Sequence, residues 1–315
     1  WALLSWTFTP RKRAWLLTSL LTNLLALGFF KYAGMLATTV EALSGHSESP
    51  LTRWFHEIIL PIGISFYTFH ALSYVIDIYH GKLVPATSFV RYSAYISMFP
   101  QLVAGPISRY GQTGRQIETA TFLPNSTQVQ RGILFLCYGF VAKVWLADHL
   151  AIFVDYALAD PSSLRLVGAW LASLGYTFQL YFDFMGYSAM AVGLGLFLGL
   201  ELPQNFGEPY KTENISEFWR HWHMTLSSWL RDYLYISLGG SRGGVLKTYR
   251  NLLITMVLGG LWHGASWTFA AWGLFHGVLL VSHHIMRDHG WVLPWRWVNR
   301  GAIFLLVVIG WVLFR

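Results

Sequence analysis

Leu258-Gly259-Gly260-Leu261-Trp262-His263-Gly264-Ala265-Ser266-Trp267 is apolar except for one imidazole and one hydroxyl, and residues 252–262 and 266–281 around it are also largely apolar. A helix needs about 20 mostly apolar residues to cross a bilayer. The stretch therefore decides between a soluble core and a membrane bundle, and composition makes the choice. The 315 residues are 54% hydrophobic and 12% charged, where a soluble domain carries about 25% charged residues. Mean hydropathy is +0.43. The expected fold class is an all-α polytopic membrane protein. Its 16 Trp suit interfacial belts and bundle packing. A formal charge of +7 points to cytoplasmic loops and anionic headgroups, with no nucleic-acid partner. The single cysteine, Cys137, rules out an internal disulfide and leaves the compartment undetermined by redox chemistry.

Working outward, residues 14–30 form an apolar segment behind the basic run Arg11-Lys12-Arg13. Residues 58–79 form a second, with Pro61 and Gly63 near its start. Residues 92–107 are interrupted by Pro100, Gly105 and Pro106 and read as a kinked or re-entrant element. Residues 132–158 carry Lys143 and Asp148. Residues 164–200 are long enough for two elements, with a break expected near residues 183–186. With residues 298–314 these make roughly eight spans or half-spans. Residues 215–238 mix Trp, Leu and Tyr with charge and read as an amphipathic helix at the interface or dipping into the bundle. Residues 239–250 follow as a Gly-rich basic loop with Arg242 and Lys247, placed on the cytoplasmic side by the positive-inside rule. No internal repeat is visible, and one membrane domain over residues 1–315 is expected. Residue 1 is Trp and the last apolar segment stops at Arg315. The chain thus reads as incomplete, with its true N-terminus expected before residue 1.

Phosphate-binding loops, dinucleotide fingerprints and Gly-x-Ser-x-Gly elbows are absent from the sequence. Chemistry must come from polar residues in apolar segments. An ionisable side chain at membrane depth is expensive and marks function by default, which singles out His263. Gly259, Gly260 and Gly264 let backbone or substrate approach it. The plainer alternative is a packed helix whose histidine hydrogen-bonds a carbonyl, and position alone leaves both open. His223, on a helix, shares a face with Trp219, Arg220 and Ser227, a grouping that could hold a phosphate or orient a second catalytic group. Its alternative, to which the residues alone lean, is an interfacial helix with a wet polar face. His221 points to nearly the opposite side. Asp183 lies among aromatics and needs a partner. A structural pair with a Lys or Arg of another helix is the leading reading for it, as for Asp77, Lys143, Asp148 and Arg109. Arg231/Asp232 and Arg287/Asp288 read as solvated or headgroup-facing. Twelve histidines raise the question of a membrane di-iron site. His283-His284 adjoin Arg287, Asp288 and His289 in an expected loop, without paired ligands on facing helices, so no metal is expected.

Several ungapped stretches carry a family resemblance. They are Leu60-Pro61-Ile62-Gly63-Ile64-Ser65-Phe66-Tyr67-Thr68-Phe69, Ala104-Gly105-Pro106-Ile107, and Gln179-Leu180-Tyr181-Phe182-Asp183-Phe184. Glu217-Phe218-Trp219-Arg220, Trp222-His223, Trp229-Leu230-Arg231-Asp232-Tyr233-Leu234-Tyr235 and Gly259-Gly260-Leu261-Trp262-His263-Gly264 complete the set. Across nearly its whole length the chain resembles the membrane-bound O-acyltransferase (MBOAT) family, in particular its bacterial alginate-acetylating branch. The resemblance implies a bundle of about ten or more membrane and re-entrant helices around a tunnel crossing the bilayer, in a multi-pass protein of the bacterial inner membrane. It matches His263 to the histidine of the family's Trp-His-Gly motif and His223 to the second family histidine. It implies transfer of acetyl from a cytoplasmic donor, acetyl-CoA, to exopolysaccharide hydroxyls, with periplasmic acetyltransferase partner proteins and membrane lipids as partners and no tightly bound cofactor. Sibling branches acetylate peptidoglycan or cellulose, or transfer D-alanine. Arg220, Trp219, Ser227, Trp262 and Asp183 are the candidate donor or substrate contacts. The chain departs from the alginate-type pattern, with Met185 and Ala189 in place of Ser and Asp, and His221 in place of Arg.

Acyl transfer from a thioester to a hydroxyl needs a base, donors for the oxyanion and exclusion of water. Histidine suits the base, because its neutral form is available near pH 7. His263 is the expected base and His223 the expected orienting or donor-binding group. A substrate transporter is the rival from another class, since broken helices and intramembrane charges suit a permeation path. Inverted-repeat symmetry would support it and is not seen.

Overall fold

The computed structural model describes residues 11–45, 50–119, 122–291 and 294–315, without the side chains of residues 51, 52 and 56. Among the described residues the regular structure is helical, with no strand. In hydrocarbon a helix satisfies its own backbone, so long apolar runs take that form. In chain order the main helices are α1 (Lys12–Ser44), α2 (Ile64–Tyr79), α3 (Ser126–Leu158), α4 (Leu166–Phe197), α5 (Ile215–His221), α6 (Met224–Trp229), α7 (Val245–His263), α8 (Trp267–Asp288) and α9 (Arg296–Phe314). Helices α1, α3, α4, α8 and α9 are long and apolar enough to cross a membrane.

The chain divides into two compact units. One comprises Trp1–Val103, Ile107–Thr119 and Trp262–Ser266. In it α1 packs on α2. The chain is non-helical from residue 58 through Pro61, and Gly63 takes a left-handed φ of 76° to begin α2. A Cβ at Gly63 would lie 2.5 Å from the Leu102 carbonyl oxygen, so this turn requires glycine on two counts. The expected kinked element is two short helices, Phe89–Ser97 and Phe99–Leu102, with Pro100 in the first turn of the second.

The other unit comprises Ala104–Pro106, Ala120–Leu261 and Trp267–Arg315. Helices α3 and α4 meet in it through two glycine pairs, Gly132 with Gly193 and Gly139 with Gly186. Both helices space their glycines seven residues apart, so two close backbone contacts fall on one antiparallel seam. The break expected at residues 183–186 is absent: α4 is continuous for 32 residues. Gly186 is a close-packing position, not a helix stop, and Asp183 pairs with Lys143 of α3 at 2.8 Å. The aromatic core of this unit gathers Phe218, Trp222, Trp272 and Trp311. Glu213, just before α5, binds Arg296 at 2.6 Å and Arg300 at 3.2 Å. These guanidinium groups, Arg296 foremost, hold its carboxyl below the ordinary carboxylate range.

Two further expectations are corrected. Residues 215–238 do not form one helix. The chain at 205–207 competes for their backbone groups: Met224 N–H donates to the Asn205 carbonyl at 2.8 Å, and Gly207 N–H donates to the His221 carbonyl at 3.0 Å. These long-range bonds override the helical pattern and split α5 from α6. His283 and His284 lie inside α8, not in a loop. The helix runs on to Asp288, and Gly290, with a φ of 70°, closes it through Trp291 N–H to the Met286 carbonyl at 2.8 Å.

Candidate functional site

Helix α7 ends on Trp262-His263, and these two residues belong to the first unit with α1 and α2. Trp262 is buried. Its ring stacks on Phe69 at 5.2 Å and meets Phe66 edge-on at 5.5 Å. Phe66 and Phe69 are three residues apart and share a face of α2, which sets this aromatic clamp. Lys31 of α1 donates to the Trp262 carbonyl and, at 3.2 Å, to the Ser65 hydroxyl. Its ammonium also lies 5.6 Å from the centre of the Trp262 ring. The helix end that bears His263 is thus held by ring packing and by a cation on a C-terminal carbonyl.

His263 is half-buried. It borders a cavity of about 400 Å³ whose lining includes Lys31, Ser65, Phe66, His263 and Gly264. That volume falls in the range of small-molecule sites, which are mostly apolar with few polar groups. Lys31, Ser65 and His263 supply a cation, a hydroxyl and an imidazole among apolar walls. A thioester and a hydroxyl could meet here beside an imidazole and a cation.

His223 lies in the second unit. It is 1% exposed and occupies the junction of α5 and α6 in a left-handed conformation, φ 43° and ψ 55°. Such a backbone is rare outside glycine and concentrates at functional positions. Burial excludes the interfacial helix with a wet polar face. The Asn205 Oδ1 accepts from the Thr225 N–H at 3.4 Å and from the Thr225 hydroxyl at 2.5 Å. The His223 Nδ1 lies 3.2 Å from the same oxygen. That oxygen can only accept, so Nδ1 carries the proton and Nε2 is the basic nitrogen. Phe184 meets the imidazole edge-on at 4.7 Å. A second cavity, about 180 Å³, is lined by Tyr181, Met185, Ser188, Ala189, Asn205 and others. Both apolar departures, Met185 and Ala189, face it.

Replacing Asn205 by Ala removes an acceptor shared by three donors. The expected cost is about 2 kcal/mol, while Asn205→Asp, which keeps the acceptor, stays near the parent. Thermal unfolding of the purified protein in detergent checks both; equal midpoints for the Ala variant and the parent would contradict the network.

The remaining candidates are dispersed. Trp219 packs edge-on against Trp272 at 5.7 Å and His276 at 5.2 Å. Arg220 is exposed. Ser227 donates to the Trp222 carbonyl at 3.1 Å. Trp262 anchors α7 as described. Asp183 joins Asp148 on Lys143, at 2.8 Å and 2.5 Å, as the expected inter-helix pair. Arg231–Asp232 and Arg287–Asp288 are pairs of chain neighbours at 2.7 Å and 2.9 Å, and both arginines are exposed.

Sequence reasoning missed Lys31 and Asn205. Ending the first apolar segment at Phe30 stopped one residue before Lys31, although the rule that singled out His263 applies equally to an intramembrane lysine. Asn205 carries no such signal, because its role depends on a loop returning to the junction of α5 and α6.

A family model described as the membrane-bound O-acyltransferase family matches residues 3–297. Among curated proteins, a probable alginate O-acetylase AlgI of Azotobacter vinelandii is 44% identical over 98% of this chain and 61% of its own length. A peptidoglycan O-acetyltransferase of Helicobacter pylori is 39% identical over 96% of the chain and 62% of its own length. A teichoic acid D-alanyltransferase of Bacillus subtilis is 28% identical over 81% of the chain and 66% of its own length. The chain spans about three-fifths of the length of the acetylases it matches.

Proposed function

Because the chain belongs to the membrane-bound O-acyltransferase family, we propose that it forms the acyl-transfer core of a membrane enzyme that acetylates hydroxyls of an exopolysaccharide such as alginate. The cavity beside His263 carries this reading: it joins an imidazole, a cation and a hydroxyl with apolar walls. His263 is the base that takes the acceptor hydroxyl's proton. The donor is acetyl-CoA, presented from the cytoplasmic side of the inner membrane. The acceptor is the polysaccharide or a hydroxyl on a periplasmic partner protein. His223, with its Nδ1 proton fixed by Asn205, keeps Nε2 basic to orient donor or acceptor. The alginate assignment is favoured over peptidoglycan and teichoic acid by the higher identity to the alginate acetylase.

The test uses the full-length protein in liposomes with labelled acetyl-CoA. Release of free CoA that depends on an added alginate oligosaccharide supports the reading. Binding of acetyl-CoA without turnover, with all partner proteins supplied, contradicts it and favours transport.

A further inference from the structure

We propose that Lys31 is a second catalytic residue in the His263 cavity, the group that binds the acyl carbonyl oxygen as it becomes an oxyanion. The inference rests on the reading of His263 as base. Lys31 sits in α1, a helix apolar enough to span a membrane, and borders the same cavity as His263. A lysine at that depth is expensive to keep. Two of its three N–H groups go to the Ser65 hydroxyl and the Trp262 carbonyl. Among the described residues its remaining neighbours are two aromatic faces, Tyr32 at 5.9 Å and Trp262 at 5.6 Å from ring centre, and no further oxygen or nitrogen accepts the third. The ammonium is therefore fixed in place with one donor left for a ligand, which is the arrangement that stabilises charge developing in a transition state. The bond to the Trp262 carbonyl also has a plainer meaning. A cation on the last carbonyls of α7 is a favourable helix cap and needs no ligand.

The step balances without a redox partner. The acceptor hydroxyl gives its proton to a His263 ring nitrogen as its oxygen bonds to the acyl carbon. The carbonyl π pair moves onto oxygen, beside the Lys31 ammonium. Collapse re-forms the carbonyl and breaks the C–S bond. The departing thiolate takes the proton back from the imidazolium.

Two substitutions separate the roles. Lys31→Gln keeps an N–H donor for the Trp262 carbonyl and loses the charge, and Lys31→Arg keeps the charge. In the full-length protein with acetyl-CoA and an alginate oligosaccharide, Lys31→Gln should lower kcat by about 100-fold or more. KM for acetyl-CoA should stay within about threefold, because the lost contact strengthens only in the transition state. Lys31→Arg should retain about a tenth of kcat or more. If Lys31→Gln fails to fold, Lys31→Met is read the same way at its own unfolding midpoint. Lys31→Gln within about threefold of wild type in kcat would overturn the proposal. So would losses in the Gln and Arg variants that simply follow their unfolding midpoints, the signature of a cap. His263→Ala, measured alongside, separates the layers: full activity there removes the base and this proposal with it, whereas an inactive His263→Ala beside a normal Lys31→Gln removes this proposal alone.

Discussion

His263→Ala in the full-length protein should lower acetyl transfer by about 10³-fold while the protein still inserts and folds. The imidazole is half-buried at the cavity edge, and the helix end is anchored by its neighbour. Trp262 holds the stack with Phe69 and the edge contact with Phe66, and its carbonyl holds Lys31. The His263 ring itself meets Trp262 edge-on at 5.0 Å, so truncating it removes the proposed base and that contact, while the stack on Phe69, the edge contact with Phe66 and the Lys31 bond remain. A general base contributes about 10²- to 10⁴-fold. Apolar walls limit the water that could replace it, which places the expected loss within that range and above its floor. His263→Gln keeps a polar group of similar size and should be as inactive, because an amide cannot accept the proton. Acetylated product measured by mass spectrometry, with a stability control, checks both variants. An active His263→Ala enzyme would remove the base assignment.

Gly186→Leu should be the most damaging single change to the fold. A Cβ at Gly186 would lie 2.7 Å from the Gly139 carbonyl oxygen and 2.8 Å from the Lys143 amide nitrogen. Both are backbone atoms, so no side chain can swing aside. Overpacking typically costs about 1 to 3 kcal/mol, and more where nothing can yield; the expected loss here is about 3 kcal/mol or more. Separating α3 from α4 at this point also strains the pair of Lys143 with Asp183. Gly28 of α1 is the contrast: nothing lies within 4 Å of a Cβ there, and Gly28→Ala should hold or raise stability, by up to about 1 kcal/mol. Unfolding midpoints of the two variants in one detergent make the comparison. Equal midpoints would show that the glycine seam does not hold these helices.

The membrane class was legible in the composition, because apolar runs of bilayer length have few alternatives. Most helices were legible to within a turn or two, and the reasons for the misses differ. At Asp183 and Gly186 a charge and a glycine resemble a break in one helix, and only the facing helix shows them to be an ion pair and a packing contact. At His223 the periodic pattern continues through residues that bond instead to residues 205–207, a competitor about 15 to 20 positions away. The candidate site divides in the same manner. His263 stands out in the sequence by the cost of an ionisable group at membrane depth, and the structure places it at the edge of a cavity. Lys31 obeyed the same rule and was passed over at a segment boundary. Asn205 could not be found, since an exposed loop asparagine and a buried orienting one look alike in sequence.

The claim that acyl chemistry occurs beside His263 is tested most directly by a structure of the full-length protein bound to a non-hydrolysable thioether analogue of acetyl-CoA. The expected result is an acyl carbonyl in the cavity bordered by Lys31, Ser65 and His263, its oxygen about 3 Å from the Lys31 ammonium. Its carbon should leave room for an acceptor oxygen about 3 to 3.5 Å away and within reach of the imidazole. An analogue bound elsewhere, with this cavity empty, would contradict the account.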